Sequence, residues 1–155
     1  MTRFSIRRQV EFNHCDPAGL VFYPRYYEMI SALVERFFAE GLGHDWCEMG
    51  DAGLCTPMGK IETRFTAPSR LGDWLTLSLA VSRLGRASVG FDLMCETAGG
   101  PRFTGSATSI CADMKAGRAQ PWPGPIRAAF TPWLPIPGDA SSPAAAPDMQ
   151  KAAFR

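Results

Sequence analysis

PRYYEMISALVERFFAEG, residues 24–41, is the stretch that decides the fold. Tyr26, Ile30, Leu33, Val34 and Phe37 recur at spacings of three and four, so they share one face of a helix. Tyr27 and Phe38 widen that stripe. Pro24 suits a helix start, where a missing N–H costs little, and Gly41 is a natural stop. The spacing predicts one long helix over 25–41, the only long one in the chain.

Strand-like segments lie on both sides of this helix. Before it, FSIRRQVEF (4–12) puts Phe4, Ile6, Val10 and Phe12 on one side, with Arg8 as the exception. Between strand and helix, NHCDPAGLVFYP (13–24) carries Asp16-Pro17 and Gly19 and reads as a tight loop. After the helix, a short helical turn is expected near Asp45–Met49. Four strands follow, at about 60–67, 74–84, 87–97 and 103–114. Leu75, Leu77, Leu79 and Val81 alternate with polar residues, as do Val89, Phe91, Leu93 and Cys95. LGR (84–86) and AGGPR (98–102) are hairpin connectors. Prolines crowd 120–138, so no central strand runs there. That segment is expected to wrap over the body through Trp122 and Trp133. A single domain over 1–138 is expected, its proline-rich end beginning near 119, with a flexible tail over 139–155. No internal repeat is present.

Composition narrows the function classes. The 155 residues fit one domain with a sizeable core. Sixteen basic against fifteen acidic residues leave a net charge of +1, so no global field for nucleic acid exists. No apolar run is long enough for a membrane span, and MTRFSIRRQVEF lacks the apolar core of a signal peptide. Cys15, Cys47, Cys55, Cys95 and Cys111 are scattered, with no zinc-ligand spacing, and read as reduced thiols of a cytoplasmic protein. His14, Cys15 and Asp16 are adjacent in an extended segment and point to alternating sides, so no metal site is expected. One helix covers only one face of a five-stranded sheet, so pairing with a second copy is expected.

The chemistry concentrates just before the long helix. Asp16 is a carboxylate with few cations nearby in sequence. It is able to act as a nucleophile or as a general base for water. The helix start that follows offers free N–H groups and the positive end of a dipole, which suit a developing oxyanion. Together they make a coherent ester or thioester hydrolase. The same Asp-Pro also fits a plain turn or cap, and a helix start binds anions without chemistry.

HCDPAGLVFYPRYYEMI (14–30) closely resembles the signature of the 4-hydroxybenzoyl-CoA thioesterase family. The Thr56-Pro57 pair, GDWLTLS (72–78) and the strands after it extend the resemblance over about residues 4–115. It implies an α+β hotdog fold: a five-stranded antiparallel sheet wrapped around one long central helix. It also implies acyl-CoA thioester hydrolysis, with coenzyme A entering only as part of the substrate, no separate cofactor, and a homodimer that forms a homotetramer. By the same likeness Asp16 matches the catalytic carboxylate, and the backbone N–H of Tyr23 polarises the thioester carbonyl. The Tyr23 ring and Trp46 match the acyl pocket, Thr56 is a pocket threonine near the subunit interface, and with Phe22 and Tyr27 beside them an aromatic acyl group, as in 4-hydroxybenzoyl-CoA, is expected. Ser31 stands where an aspartate reads the substrate's phenol. Arg86 matches one cation of the cluster that grips coenzyme A phosphates. Gly85 and Ala87 replace its flanking cations, and Arg83 offers a substitute. Three further roles remain for the same fold: hydrolysis of acyl carrier protein thioesters, hydration or dehydration with a His–Asp pair, and acyl-CoA binding without turnover.

Overall fold

Five strands pair antiparallel in one sheet: β1 (Phe4–Gln9), β3 (Met58–Phe65), β4 (Trp74–Leu84), β5 (Ser88–Thr97) and β6 (Gly100–Ile110), in the spatial order β1-β4-β5-β6-β3. In this computed structural model residues 2–135 are described, so the tail expected over 139–155 lies outside them. The register aligns the apolar positions read from the alternation: Ile6 opposite Leu77, Leu79 opposite Leu93, Val81 opposite Phe91, and Cys95 opposite Phe103. Their side chains share one face, because partners in register point the same way.

Helix α1 (Tyr23–Arg36) lies across that face. Tyr26, Met29, Ile30, Leu33 and Val34 are its buried residues. The helix runs on through a π turn at Phe37–Gly41, which buries both Phe37 and Phe38. This is the hotdog arrangement, an α+β fold with one long helix held by a five-stranded sheet. Gly41 ends the helix for a different reason from the expected one. It is the left-handed Gly43 that turns the chain, with φ +73°. Gly41 is small because a Cβ there would lie 2.8 Å from the Phe37 ring and 3.2 Å from Trp133.

Three details depart from the expectations. Strand β1 stops at Gln9, and a 3-10 turn over Phe12–His14 swings Phe12 out of the apolar row, leaving it 84% exposed. Helix α2 (Trp46–Asp51) starts one residue late because Asp45 is its cap, accepting the Glu48 N–H. The last expected strand breaks at Cys111. Beyond it β7 (Ala112–Asp113) joins β2 (Leu54–Cys55) and β8 (Arg118–Ala119) in a small second sheet.

The proline-rich stretch wraps as expected but is partly helical. Helix α3 (Gly124–Ala129) buries Ile126 and leads to the buried Phe130. Trp122 packs 6.0 Å from Phe38, and Trp133 lies 5.1 Å from Phe37. The Trp133 indole N–H donates to the Gly41 carbonyl at 3.1 Å. The outer sheet face carries Thr76, Asp92, Glu96, Thr104 and Thr108, so it is polar rather than an apolar face awaiting cover. Trp74 is exposed on that face beneath the Arg7 guanidinium, and further exposed apolar side chains lie at Phe22 just before α1, Tyr23 on α1, and Met58 and Phe65 on edge strand β3.

Candidate active site

The Asp16 loop is a miniature hairpin. Cys15 bridges Val21 antiparallel, the Asp16 N–H donates to Leu20 O at 2.9 Å, and Gly19 takes a φ of +72° at the bend. The carboxylate organises this turn itself. Asp16 Oδ1 accepts the N–H groups of Ala18 at 2.9 Å and Leu20 at 3.2 Å. No described residue donates to Oδ2. The turn-forming role and a chemical role therefore fall on different oxygens of one half-buried side chain.

The loop is anchored on both sides. The Phe22 N–H donates to His14 O, and the Val21 N–H to Ser69 O, each at 2.9 Å. His14 is buried, and its Nδ1 accepts the Glu11 N–H at 2.9 Å. That bond leaves any proton of the neutral ring on Nε2. Tyr26 ties the first turn of α1 to the same region, its hydroxyl donating to the buried Ser69 Oγ at 2.7 Å. Burial pushes the Tyr26 phenol above its ordinary range, and the Ser69 bond offsets part of that rise.

Helix α1 starts directly after this loop. Phe22 is extended (φ −68°, ψ 123°) and supplies no side-chain cap. The Tyr23 N–H is at the first helical position, where no intrahelical acceptor exists. Pro24 has no N–H and the Arg25 N–H donates to Phe22 O, so the Tyr23 N–H and the positive dipole end stand at the sequence position that follows the Asp16 hairpin. Phe22 and Tyr23 are 48% and 59% exposed, with ring centroids 5.4 Å apart. Tyr23 and Tyr27 are 6.4 Å apart, and Tyr27 Oη lies 2.8 Å from Thr63 Oγ1 on β3. Ser31 is exposed one turn further along the same face.

The remaining candidates stand at the other end of the sheet. Thr56 precedes β3, about 23 Å along the chain from Thr63 at 3.3 Å per residue. Trp46 opens α2 and packs 6.4 Å from Phe38 at the far end of the long helix; its indole N–H is buried and unpartnered among the described residues. Arg83 and Arg86 are exposed at the β4–β5 turn, where the Trp122 N–H donates to Arg86 O. One protomer therefore brings Asp16, Phe22, Tyr23 and Tyr27 together. It holds Trp46, Thr56, Arg83 and Arg86 apart from them.

Two neighbours were not legible in the sequence. Arg127 reaches from α3 to the β4–β5 turn, its Nη1 donating to Gly85 O at 2.7 Å, and adds a third guanidinium beside Arg83 and Arg86. Thr63 meets Tyr27 only because β3 returns beside α1. Neither has a motif, and only the tertiary contact marks them. Among the described residues no three His, Cys, Asp or Glu side chains converge as a metal cluster. Among the described residues no helix is long and apolar enough to cross a membrane.

The model of the thioesterase-like superfamily matches residues 10–130. A 4-hydroxybenzoyl-CoA thioesterase of Pseudomonas sp. (strain CBS-3) is 27% identical over 88 residues, 54% of this chain and 61% of that protein. The chain thus spans 61% of the length of the curated relative it matches. A solved gentisyl-coenzyme A thioesterase superposes with a TM-score of 0.73 at 26% identity, covering 81% of this chain and 98% of its own. A 1,4-dihydroxy-2-naphthoyl-CoA thioesterase from Synechocystis superposes with a TM-score of 0.76 at 20% identity, covering 84% of this chain and 96% of its own; at that identity the likeness is one of fold.

Proposed function

We propose, from the premise that this chain belongs to the thioesterase-like superfamily, that it hydrolyses an aromatic acyl-CoA to the free acid and coenzyme A. One observation carries this reading: Asp16, with one oxygen held by its own turn and no described donor on the other, sits in a hairpin that leads into an uncapped helix start at Tyr23. The carboxylate attacks the thioester carbonyl, or takes a proton from the water that does. The Tyr23 N–H and the helix dipole stabilise the oxyanion. The tetrahedral intermediate collapses and the coenzyme A thiolate leaves. If the attack is direct, water then cleaves the mixed anhydride on Asp16. Thiolate is a good leaving group, so no strong general acid is needed beside the carboxylate.

The aromatic ladder Phe22–Tyr23–Tyr27 supports an aryl group as the acyl part, with Ser31 one turn beyond. Arg83, Arg86 and Arg127 are the cations for coenzyme A phosphates. Trp46 and Thr56 complete the pocket from a second copy, which is why the working unit is a homodimer, paired further into a homotetramer. The setting is the cytoplasm, where the free thiols stay reduced.

The test is thiol release from benzoyl, 4-hydroxybenzoyl, phenylacetyl, short-chain and long-chain CoA esters, with wild type beside Asp16→Asn. Turnover of an aromatic ester, lost in the variant while ligand binding persists, is the expected result. Equal rates in both proteins overturn the role of Asp16. No turnover of any ester moves the activity to carrier-protein thioesters or to binding alone.

A further inference from the structure

We propose that Thr63 determines specificity, its hydroxyl reading a hydroxyl group on the acyl ring while Tyr27 holds it in place; this rests on the aryl-CoA thioesterase reading above. Thr63 lies on the β3 face that meets α1, since Ile61, Thr63 and Phe65 alternate with the outward Glu62 and Arg64. Its Oγ1 is 2.8 Å from Tyr27 Oη. Either hydroxyl is able to donate in this contact, since each is both a donor and an acceptor. Among the described residues Tyr27 is the one hydrogen-bond partner of Thr63 Oγ1. Whichever way that bond runs, Thr63 Oγ1 keeps a donor or an acceptor for something outside the protomer's own bonds, and a ring hydroxyl, which both donates and accepts, matches either.

Position says what that is. Tyr27 is one turn beyond Tyr23, about 6 Å along the helix axis. That is roughly the reach of a benzoyl ring from its carbonyl carbon to a distal substituent. Helical side chains lean toward the N-terminus, so the Tyr27 ring covers the turn that begins at Tyr23. A carbonyl polarised by the Tyr23 N–H thus directs its ring along the ladder toward Tyr27 and Thr63. Both hydroxyls are neutral, so they fit a neutral oxygen and leave a ring carboxylate unpaired. Ser31 adds a second neutral hydroxyl on the same helix face.

The experiment compares kcat/KM for benzoyl-CoA and its 2-, 3- and 4-hydroxy isomers in wild type, Thr63→Val, Thr63→Ser and Tyr27→Phe. Wild type is expected to favour one hydroxy isomer over benzoyl. Thr63→Val should cut that preference about tenfold, the size of one neutral hydrogen bond. Thr63→Ser should restore it, and Tyr27→Phe should weaken it by releasing the threonine. A ratio of rates is insensitive to general damage, which lowers all four esters together. Turnover with no preference in wild type, or a preference that survives Thr63→Val, overturns the role of Thr63 alone. No turnover of any of the four by wild type overturns the aryl-CoA reading and this role with it.

Discussion

Asp16 forms its own turn and, in the proposed function, also performs the chemistry, and the two roles separate by substitution. Asp16→Asn retains an oxygen for the Ala18 and Leu20 N–H groups. Its urea midpoint should stay close to wild type, while thiol release falls by about a thousandfold or more, as when an essential nucleophile or base is lost. Asp16→Ala removes the acceptor as well and should cost about 1 kcal/mol in the same unfolding experiment. Tyr26→Phe leaves the Ser69 hydroxyl, which is fully buried, without its partner. It should destabilise by about 1–3 kcal/mol in urea. At this scale Asp16 and the helix start were readable as candidates, because a carboxylate ahead of free N–H groups suggests a mechanism, and Tyr23 came with the family resemblance. Thr63 and Arg127 were not, because their partners are 36 and 42 residues away in sequence.

Among the elements, the long helix and the hairpins β4–β5 and β5–β6 were readable from periodicity, since each buries one face and shows the other. Strand β1 was readable to Gln9. Its end was not, because the 3-10 turn that expels Phe12 is set by the His14–Glu11 contact and the loop behind it. The small sheet β2-β7-β8 left no pattern, as two-residue strands are too short for alternation. The β3–β6 pairing rests on a glycine. A Cβ on Gly105 would lie 2.2 Å from the Glu62 carbonyl oxygen, so the backbones approach more closely than any side chain permits. Gly105→Ala should push β3 from the sheet and destabilise by about 2–4 kcal/mol, read from the urea midpoint. Because β3 carries Thr63, that variant should also lose turnover out of proportion to its folded fraction.

For the whole molecule, burial in the common core sets the pH dependence of stability. It pushes the Cys95 thiol up to about 12 and raises the Cys111 thiol and the Tyr26 phenol. The folded state holds these protons more tightly than the unfolded chain does. Stability from this source is therefore complete below about pH 9 and lost as the pH climbs toward the folded values. Urea unfolding at about pH 8 and about pH 10.5 should show a fall of up to about 1.4 kcal/mol per pH unit for each group, and Cys95→Ala should flatten part of it. The sequence alone determined the order of strand, long helix and four strands and singled out Asp16 as a candidate, since helix period, strand alternation and the Asp-Pro loop are local patterns that one chain segment expresses by itself; the hotdog arrangement was implied by the resemblance carried by residues 14–30. Only the tertiary structure decided how the candidates divide. It grouped Asp16, Phe22, Tyr23 and Tyr27 at one end of the helix and left Trp46, Thr56, Arg83 and Arg86 at the other. It also brought Thr63 to Tyr27 and Arg127 to Gly85. Such neighbours are set by sheet order and by where a wrapping segment docks, and those are properties of the packed core that no local pattern encodes.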